Sequence, residues 1–309
     1  MKPHPWRVAI VGAGRVGLAF GRTLVHRGDR VVAVVSRSMD SARMGGKFLR
    51  CANAGTSLES IPASTNLILI TTPHDAIAGT AAALARLTHL QFPSLCVCHA
   101  SGMLTADVLE PLAKQGATVF SFHPLQTFPR DFPVKKIVPT LSGIWYGVDG
   151  PADGVVAARR LARRLGGKMV FIPPDQRVLY HAACVVASNH LTALLRVLEQ
   201  MHHALGIKGT DYFSLFRPII ETTMRNVALT SPAKALSGPV ARGGTATLAG
   251  HFESVKTSVP ELLPYISVMT DVTAALAREK GSISKEQAAA IHTLVQSYRQ
   301  CQTPSEITK

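Results

Sequence analysis

His123, His181, Asn189 and Arg242 are the residues of this 309-residue chain whose types and settings suit chemistry on a small molecule. His123 leaves the apolar run Ala117–Ser121 and is followed by Pro124, which stiffens the turn. An imidazole there titrates near working pH and can protonate an oxygen or nitrogen as it gains charge, or it can simply order the loop. His181, Ser188, Asn189 and His190 interrupt an otherwise apolar helical stretch, Leu179–Leu191. An unpaired buried polar group costs of order 1–3 kcal/mol, so these four must pair with each other or with a ligand. Arg242 stands between two glycine clusters within Ser237–Thr245. Such backbone comes close to a ligand, and a guanidinium holds a carboxylate through two parallel hydrogen bonds. The plainer reading of Arg242 is an exposed arginine in a helix connector.

The elements that position these residues point to a nucleotide. Val8–Val11 is an apolar strand, and Gly12, Gly14 and Gly17 follow it into a helix. G-x-G-x-x-G in that strand–turn–helix context is the dinucleotide fingerprint. The turn, the close backbone approach to the pyrophosphate and the helix packing each require a glycine. Arg15 and Val16, inside the motif, stand at the helix N-terminus, where unpaired N–H groups meet phosphate. The second strand, Arg30–Val35, ends at Ser36, Arg37 and Ser38. A carboxylate at that place would bond a ribose 2′-hydroxyl; an arginine flanked by hydroxyls suits a 2′-phosphate, so NADP is favoured over NAD. Asn66–Ile70 reads as a buried strand that delivers Thr72 and Pro73 to the same edge. Leu95–Cys98 delivers His99 and Ser101, and the strand through Ser121 delivers His123 and Gln126. Ser101 and Gln126 are therefore candidate substrate contacts. Further strands over 143–148 and 168–172, with crossover helices, complete a doubly wound, mainly parallel α/β sheet. After Ile172 the pattern turns helical: 175–205, 211–229, 245–257, 260–279 and 284–300. The expected organisation is a dinucleotide-binding domain over 1–172 and a helical substrate-binding and dimerisation domain over 173–309.

The net charge of +14 favours anionic partners. The basic residues scatter, and no aromatics interleave with the one knot at Arg159–Arg164, which argues against nucleic acid. No uninterrupted apolar run reaches the roughly 18 residues of a membrane helix, so no membrane partner is expected. Five cysteines, most in apolar stretches, suit reduced thiols in a cytosol. No metal is implied: His202 and His203 are adjacent on a helix, about 100° apart, and no paired ligand motif exists.

Four stretches carry a resemblance: the glycine loop, Ser121–Phe128, Tyr180–Ala183 with Ser188 and Asn189, and Leu236–Gly243 with His251. In that order they resemble a bacterial group of oxidoreductases. The group pairs a Rossmann-like NADP domain with a helical C-terminal domain of unassigned function. Its wider relatives are ketopantoate reductase, pyrroline-5-carboxylate reductase and the β-hydroxyacid dehydrogenases. The resemblance implies reduction of a small carboxylate-bearing ketone or imine, with ketopantoate as the first candidate substrate, and a homodimer through the C-terminal helices. The superfamily places a proton-donating lysine eight residues before an asparagine; here Asn189 matches the asparagine and His181 replaces the lysine. The rise from 181 to 189 is about 12 Å on an α-helix, so both reach one small substrate only if it lies along the helix or the helix kinks. His123 is the rival donor. A protein that binds NADP without turnover, as a sensor or scaffold, is the second reading.

Overall fold

The computed structural model describes residues 5–299. Eight strands form one sheet in the order β3-β2-β1-β4-β5-β6-β7-β8. They are β1 (Arg7–Val11), β2 (Arg30–Val35), β3 (Ala54–Gly55), β4 (Leu67–Ile70), β5 (Cys96–His99), β6 (Thr118–Pro124), β7 (Trp145–Asp149) and β8 (Lys168–Phe171). All pair in parallel except β6 with β7, which run antiparallel. The sheet is thus the doubly wound, mainly parallel one its apolar runs predict.

Burial on both faces explains why those strands are continuously apolar rather than alternating. Val8 and Ile10 of β1 face a core shared with Phe20 and Leu24 of helix α1 (Arg15–His26), Phe122 and Tyr146. Ala9 and Val11 face the other core, with Ile68, Ile70, Val97 and Leu84. Phe122 and Tyr146 stack across the antiparallel pair, centroids 4.4 Å apart. Helix α2 (Met39–Leu49) and helix α3 (Ile77–Leu84) follow β2 and β4, and α4 (Ala152–Arg164) carries the basic knot between β7 and β8. Arg164 of that knot bonds buried Asp29 at 2.7 Å, and Arg160 stacks over Trp6 at 4.0 Å.

The strand order reverses between β1 and β4, which places a ligand crevice outside their carboxyl ends. The region expected as a helix over 104–115 is instead a 3₁₀ turn, Ala106–Leu109, and a single α-turn, Glu110–Ala113.

Beyond Pro173 the described chain is helical: α5 (Arg177–Val185), a π-helical turn (Val186–His190), α6 (Leu191–Ala204), α7 (Tyr212–Leu229), α8 (Thr245–Ser258), α9 (Leu263–Glu279) and α10 (Lys285–Arg299). The helical run Pro174–Ala204 is 31 residues long with a mean hydropathy of 1.4, and none of its most apolar window is buried. By length and composition it could cross a membrane. Counting uninterrupted apolar residues overlooked it, because His181, Ser188, Asn189 and His190 break the run. Two compact units divide the chain, Met1–Asn189 and His190–Lys309. The first contains the whole sheet together with α5 and most of the π turn. The second has its own core around Phe252, Leu262, Ile291 and Val295.

Candidate functional site

Gly12 leaves β1 with φ 108°, a conformation that strains any residue with a Cβ. A Cβ there would also lie 2.6 Å from the Thr71 carbonyl carbon and oxygen. Thr71 closes the turn from β4: its Oγ1 donates to Gly12 O at 2.7 Å and its N–H donates to Val11 O at 2.8 Å. Gly14 differs. It is the extended N-cap of α1, no side chain caps that helix, and nothing stands within 4 Å of where its Cβ would be. The loop is therefore tight beneath and open above, and α1 begins there with no side-chain cap. That is the shape a pyrophosphate requires.

The crevice beside the loop is a cavity of about 410 Å³ lined by Val16, Thr71, Thr72, His74, Ala100, Ser101, Gly102 and His181, among others. Thr72 Oγ1 is buried and has no partner among the described residues, a hydroxyl suited to a ligand's polar group. Pro73 starts the following 3₁₀ turn at the rim and is exposed. At the end of β2, Arg37 is exposed. Ser38 Oγ caps α2 by accepting from Ser41 N at 3.3 Å and lies 2.9 Å from Ser41 Oγ. Ser38 thus serves chiefly the helix. Arg15, expected on the cofactor, donates from Nε to Pro129 O at 2.9 Å and ties the 126–133 segment to the glycine loop.

A second cavity, about 350 Å³, is lined by His123, Gln126, Thr127, His181, Cys184, Ser188 and Asn189, with apolar neighbours. His181 lines both cavities. The helical distance between His181 and Asn189 is resolved by a break in the helix. The π turn Val186–His190 changes its phase between them, and both side chains meet the same cavity. Such turns recur at functional sites. Asn189 Oδ1 lies 2.8 Å from Ser188 Oγ. Ser101 is not in this cavity. Its hydroxyl accepts from Met103 and Leu104 N–H, at 3.2 and 3.1 Å, and lies 3.1 Å from His74 Nδ1. It builds the loop wall on the glycine-loop side instead. Gln126 does line the cavity, but its amide is held by its own surroundings, donating to Thr140 O and accepting from Thr127 N. Arg242 ends a 3₁₀ turn, Val240–Arg242, in the second unit and is exposed.

Beside the first-unit cavities lies a buried ion pair the sequence did not single out. Asp149, at the end of β7, and Arg177, at the start of α5, are each 1% exposed and stand 3.2 Å apart. Asp149 also accepts from Ala106 N and Ser121 Oγ, both at 2.6 Å. Arg177 donates to Ser101 O at 2.9 Å and its guanidinium lies 5.5 Å from the Tyr180 ring centre. Tyr180 Oη lies 2.8 Å from His123 Nδ1. Arg177, Tyr180 and Cys184 follow at i, i+3 and i+7 on one helix stripe, a spacing that could have flagged them.

Burial first, and the charges of Arg177, His181 and His99 after it, lower the His123 pKa to about 4. Burial likewise lowers His99 to about 4; its Nε2 donates to Thr105 O and its Nδ1 accepts from Ser101 N. Both imidazoles are neutral at pH 7. An unfolded histidine titrates near 6.5, so between pH 6.5 and 4 the unfolded chain binds more protons than the fold. Their contribution is fully present above pH 6.5 and is lost as pH falls toward 4, by about 3 kcal/mol for each histidine. Urea unfolding at pH 7.0 and 4.5 should therefore show a marked loss of stability at the lower pH. A His123→Gln variant should show a shallower loss, and equal slopes would place His123 outside the buried neutral set.

Residues 1–124 match the Rossmann-like domain family and residues 144–272 a domain of unknown function, DUF2520. No curated protein matches the chain. Among solved structures, it is similar to a protein from Thermotoga maritima at 21% identity and TM-score 0.69, covering 88% of this chain and 99% of that one. It is similar to a candidate NADP oxidoreductase from Bacteroides fragilis at 19% identity and TM-score 0.65, covering 89% and 98%. A pyrroline-5-carboxylate reductase from Coxiella burnetii follows at 12% identity and TM-score 0.55, covering 97% and 100%. At these identities the likeness is one of fold. The chain is a Rossmann-like domain over residues 1–124 joined to a DUF2520 domain over 144–272.

Proposed function

We propose that this chain is an NADP-dependent oxidoreductase that reduces a small carboxylate-bearing ketone or imine by hydride transfer. The observation that carries the reading is the position of His181. It lines both the crevice beside the glycine loop and the cavity that holds His123 and Asn189. A cofactor along the first would place its reactive end beside the second. Gly12, Gly14, Val16, Gly17 and Thr72 would hold the dinucleotide, with Ser36 and Arg37 on the 2′-phosphate. The open space over Gly14 and the orphaned Thr72 hydroxyl support that fit. When bound, the reduced nicotinamide supplies the hydride; the chain supplies closeness, orientation and exclusion of water. Asn189 orients the substrate, a histidine delivers the proton, and Arg242 holds the carboxylate, donated by a partner subunit if the chain dimerises. The names of the Bacteroides and Coxiella proteins agree with this class of chemistry.

The test is NADPH oxidation against a panel of 2-keto acids and cyclic imines that includes ketopantoate. Turnover of at least one member is expected; none with intact NADPH binding would favour a sensor or scaffold. Arg37→Ala should weaken NADPH binding by about tenfold, a loss of about 1.4 kcal/mol, and leave NADH binding unchanged. Equal losses for both cofactors would remove Arg37 from the 2′-phosphate. The exposed apolar side chains of α7, including Phe213, Ile219, Met224 and Leu229, support a homodimer through the helical unit, which light scattering would detect.

A further inference from the structure

Tyr180 carries none of the chemistry that the histidines, the asparagine and the glycine loop suggest on sight, yet it is the side chain that His123 touches. We propose that Tyr180 and His123 form one proton-delivering unit. The Tyr180 hydroxyl donates to His123 Nδ1, and the imidazole presents its Nε2–H to the substrate oxygen or nitrogen. This rests on reading the site as a reductase.

The geometry fixes both partners. Tyr180 Oη and His123 Nδ1 are 2.8 Å apart, with the rings edge-to-face at 90°. The hydroxyl packs against Gly147 of β7 so closely that a Cβ there would overlap it. Behind the phenol ring stands the Arg177 guanidinium, itself anchored on Asp149 and Ser101 O. On the other side of the imidazole, Gly102 leaves room for the ring: a Cβ there would come 2.9 Å from His123 Nε2 and 2.6 Å from His181 Cδ2. Nε2 makes no hydrogen bond among the described residues and belongs to a ring that lines the Asn189 cavity. The imidazole is thus clamped at Nδ1 and available at Nε2.

The surroundings select a neutral donor. His123 is faced by Arg177, Tyr180 and His181 from α5 and by His99 from β5, with no carboxylate among the groups that shift it. Burial beside these groups lowers its pKa to about 4, so an imidazolium is not the resting donor. Burial also raises the Tyr180 hydroxyl, which remains protonated at neutral pH and available to donate. A neutral imidazole N–H can serve as the electrophile toward a carbonyl.

For a ketone, the carbonyl carbon gains a hydride with its electron pair and is reduced, while the nicotinamide that gave it is oxidised. The His123 Nε2–H bond breaks as the substrate O–H bond forms. The Tyr180 O–H bond breaks as an N–H bond forms at Nδ1. A phenolate remains beside the Arg177 guanidinium and recovers its proton from solvent, after which the tautomer resets.

The test uses the full-length protein labelled with ¹⁵N, with His123 assigned by its absence in His123→Asn. Long-range ¹H–¹⁵N correlation should show His123 as a single neutral tautomer, protonated at Nε2, from pH 8 to pH 5.5. Tyr180→Phe retains the ring over Arg177 and removes only the hydroxyl. It should convert that signal to a mixture of tautomers. An Nδ1-protonated wild type, or an unchanged tautomer in Tyr180→Phe, would overturn the proposal. With NADPH and whichever panel substrate turns over, Tyr180→Phe should lower kcat by 10- to 100-fold and move KM by less than twofold. An unchanged kcat would also overturn it. If no panel member turns over while the tautomer behaves as expected, the reductase reading fails and the hydrogen-bonded pair stands, so the two failures separate.

Discussion

Gly14→Glu should raise the dissociation constant for NADPH at least 100-fold, about 3 kcal/mol, and leave the unfolding midpoint within a few degrees of wild type. The open space over Gly14 lets a side chain enter without meeting protein. A glutamate there sets a negative charge where the pyrophosphate would lie and fills the room its oxygens need, so the loss falls on binding. Gly12→Ala should do the reverse. Its methyl must adopt φ 108° and stand 2.6 to 2.7 Å from the backbone of Thr71 and Thr72. Left-handed backbone of this kind costs of order 1–3 kcal/mol, and overpacking against an unyielding backbone adds a similar amount. Isothermal titration with NADPH and urea unfolding on both variants separate the roles. If Gly14→Glu binds NADPH like wild type, the glycine loop is a turn and not a phosphate cradle.

This contrast between two glycines of one motif marks how far the sequence could be read. The motif, the apolar runs and their polar ends located seven of the eight strands and the edge to which they deliver Gly12, Thr72, His99 and His123. Strand β3 escaped because two residues, Ala54 and Gly55, carry no periodicity. The expected helix over 104–115 shortened around Pro111, which lacks an N–H and fits only a first turn. Asn189 is exposed and His181 half-buried, so the burial expected of this helix's polar residues does not hold, yet their apolar settings made His123, His181 and Asn189, which line one cavity, legible. The partners themselves were not. Tyr180 is 57 residues from His123, and a tyrosine in a helix reads as packing until the fold brings an imidazole to its hydroxyl. Arg177, after two prolines and an aspartate, reads as a solvated helix start, and only the fold shows it buried beside Asp149. Ser101 illustrates the opposite case. It stands just past the end of β5, as its sequence position predicts, but the turn uses its hydroxyl for two backbone N–H groups.

Asp149→Ala should lower the unfolding free energy by 3–5 kcal/mol, the largest effect expected of a single side-chain truncation here. The carboxylate is 1% exposed and meets three partners at once: Ala106 N and Ser121 Oγ at 2.6 Å, and the Arg177 guanidinium at 3.2 Å. Its removal leaves a guanidinium in the core without its counter-charge, and breaking one side of such a pair costs more than the pair's net worth. Asp149→Asn retains the shape and one acceptor oxygen but removes the charge, so it should fall between wild type and the alanine variant. Replacing both members, Asp149→Leu with Arg177→Met, removes the uncompensated charge and should recover part of the loss. Recovery stays incomplete because Ala106 N and Ser121 Oγ still lose their acceptor. Urea unfolding of the four proteins decides the matter: if the double variant is as unstable as Asp149→Ala, the cost lies in Ala106 and Ser121 rather than in the charge. The same series bears on the site above it. Arg177 backs the Tyr180 ring, so a guanidinium released by Asp149→Asn should loosen the phenol against His123. The His123 tautomer should then become mixed in a protein whose Tyr180 hydroxyl is still present.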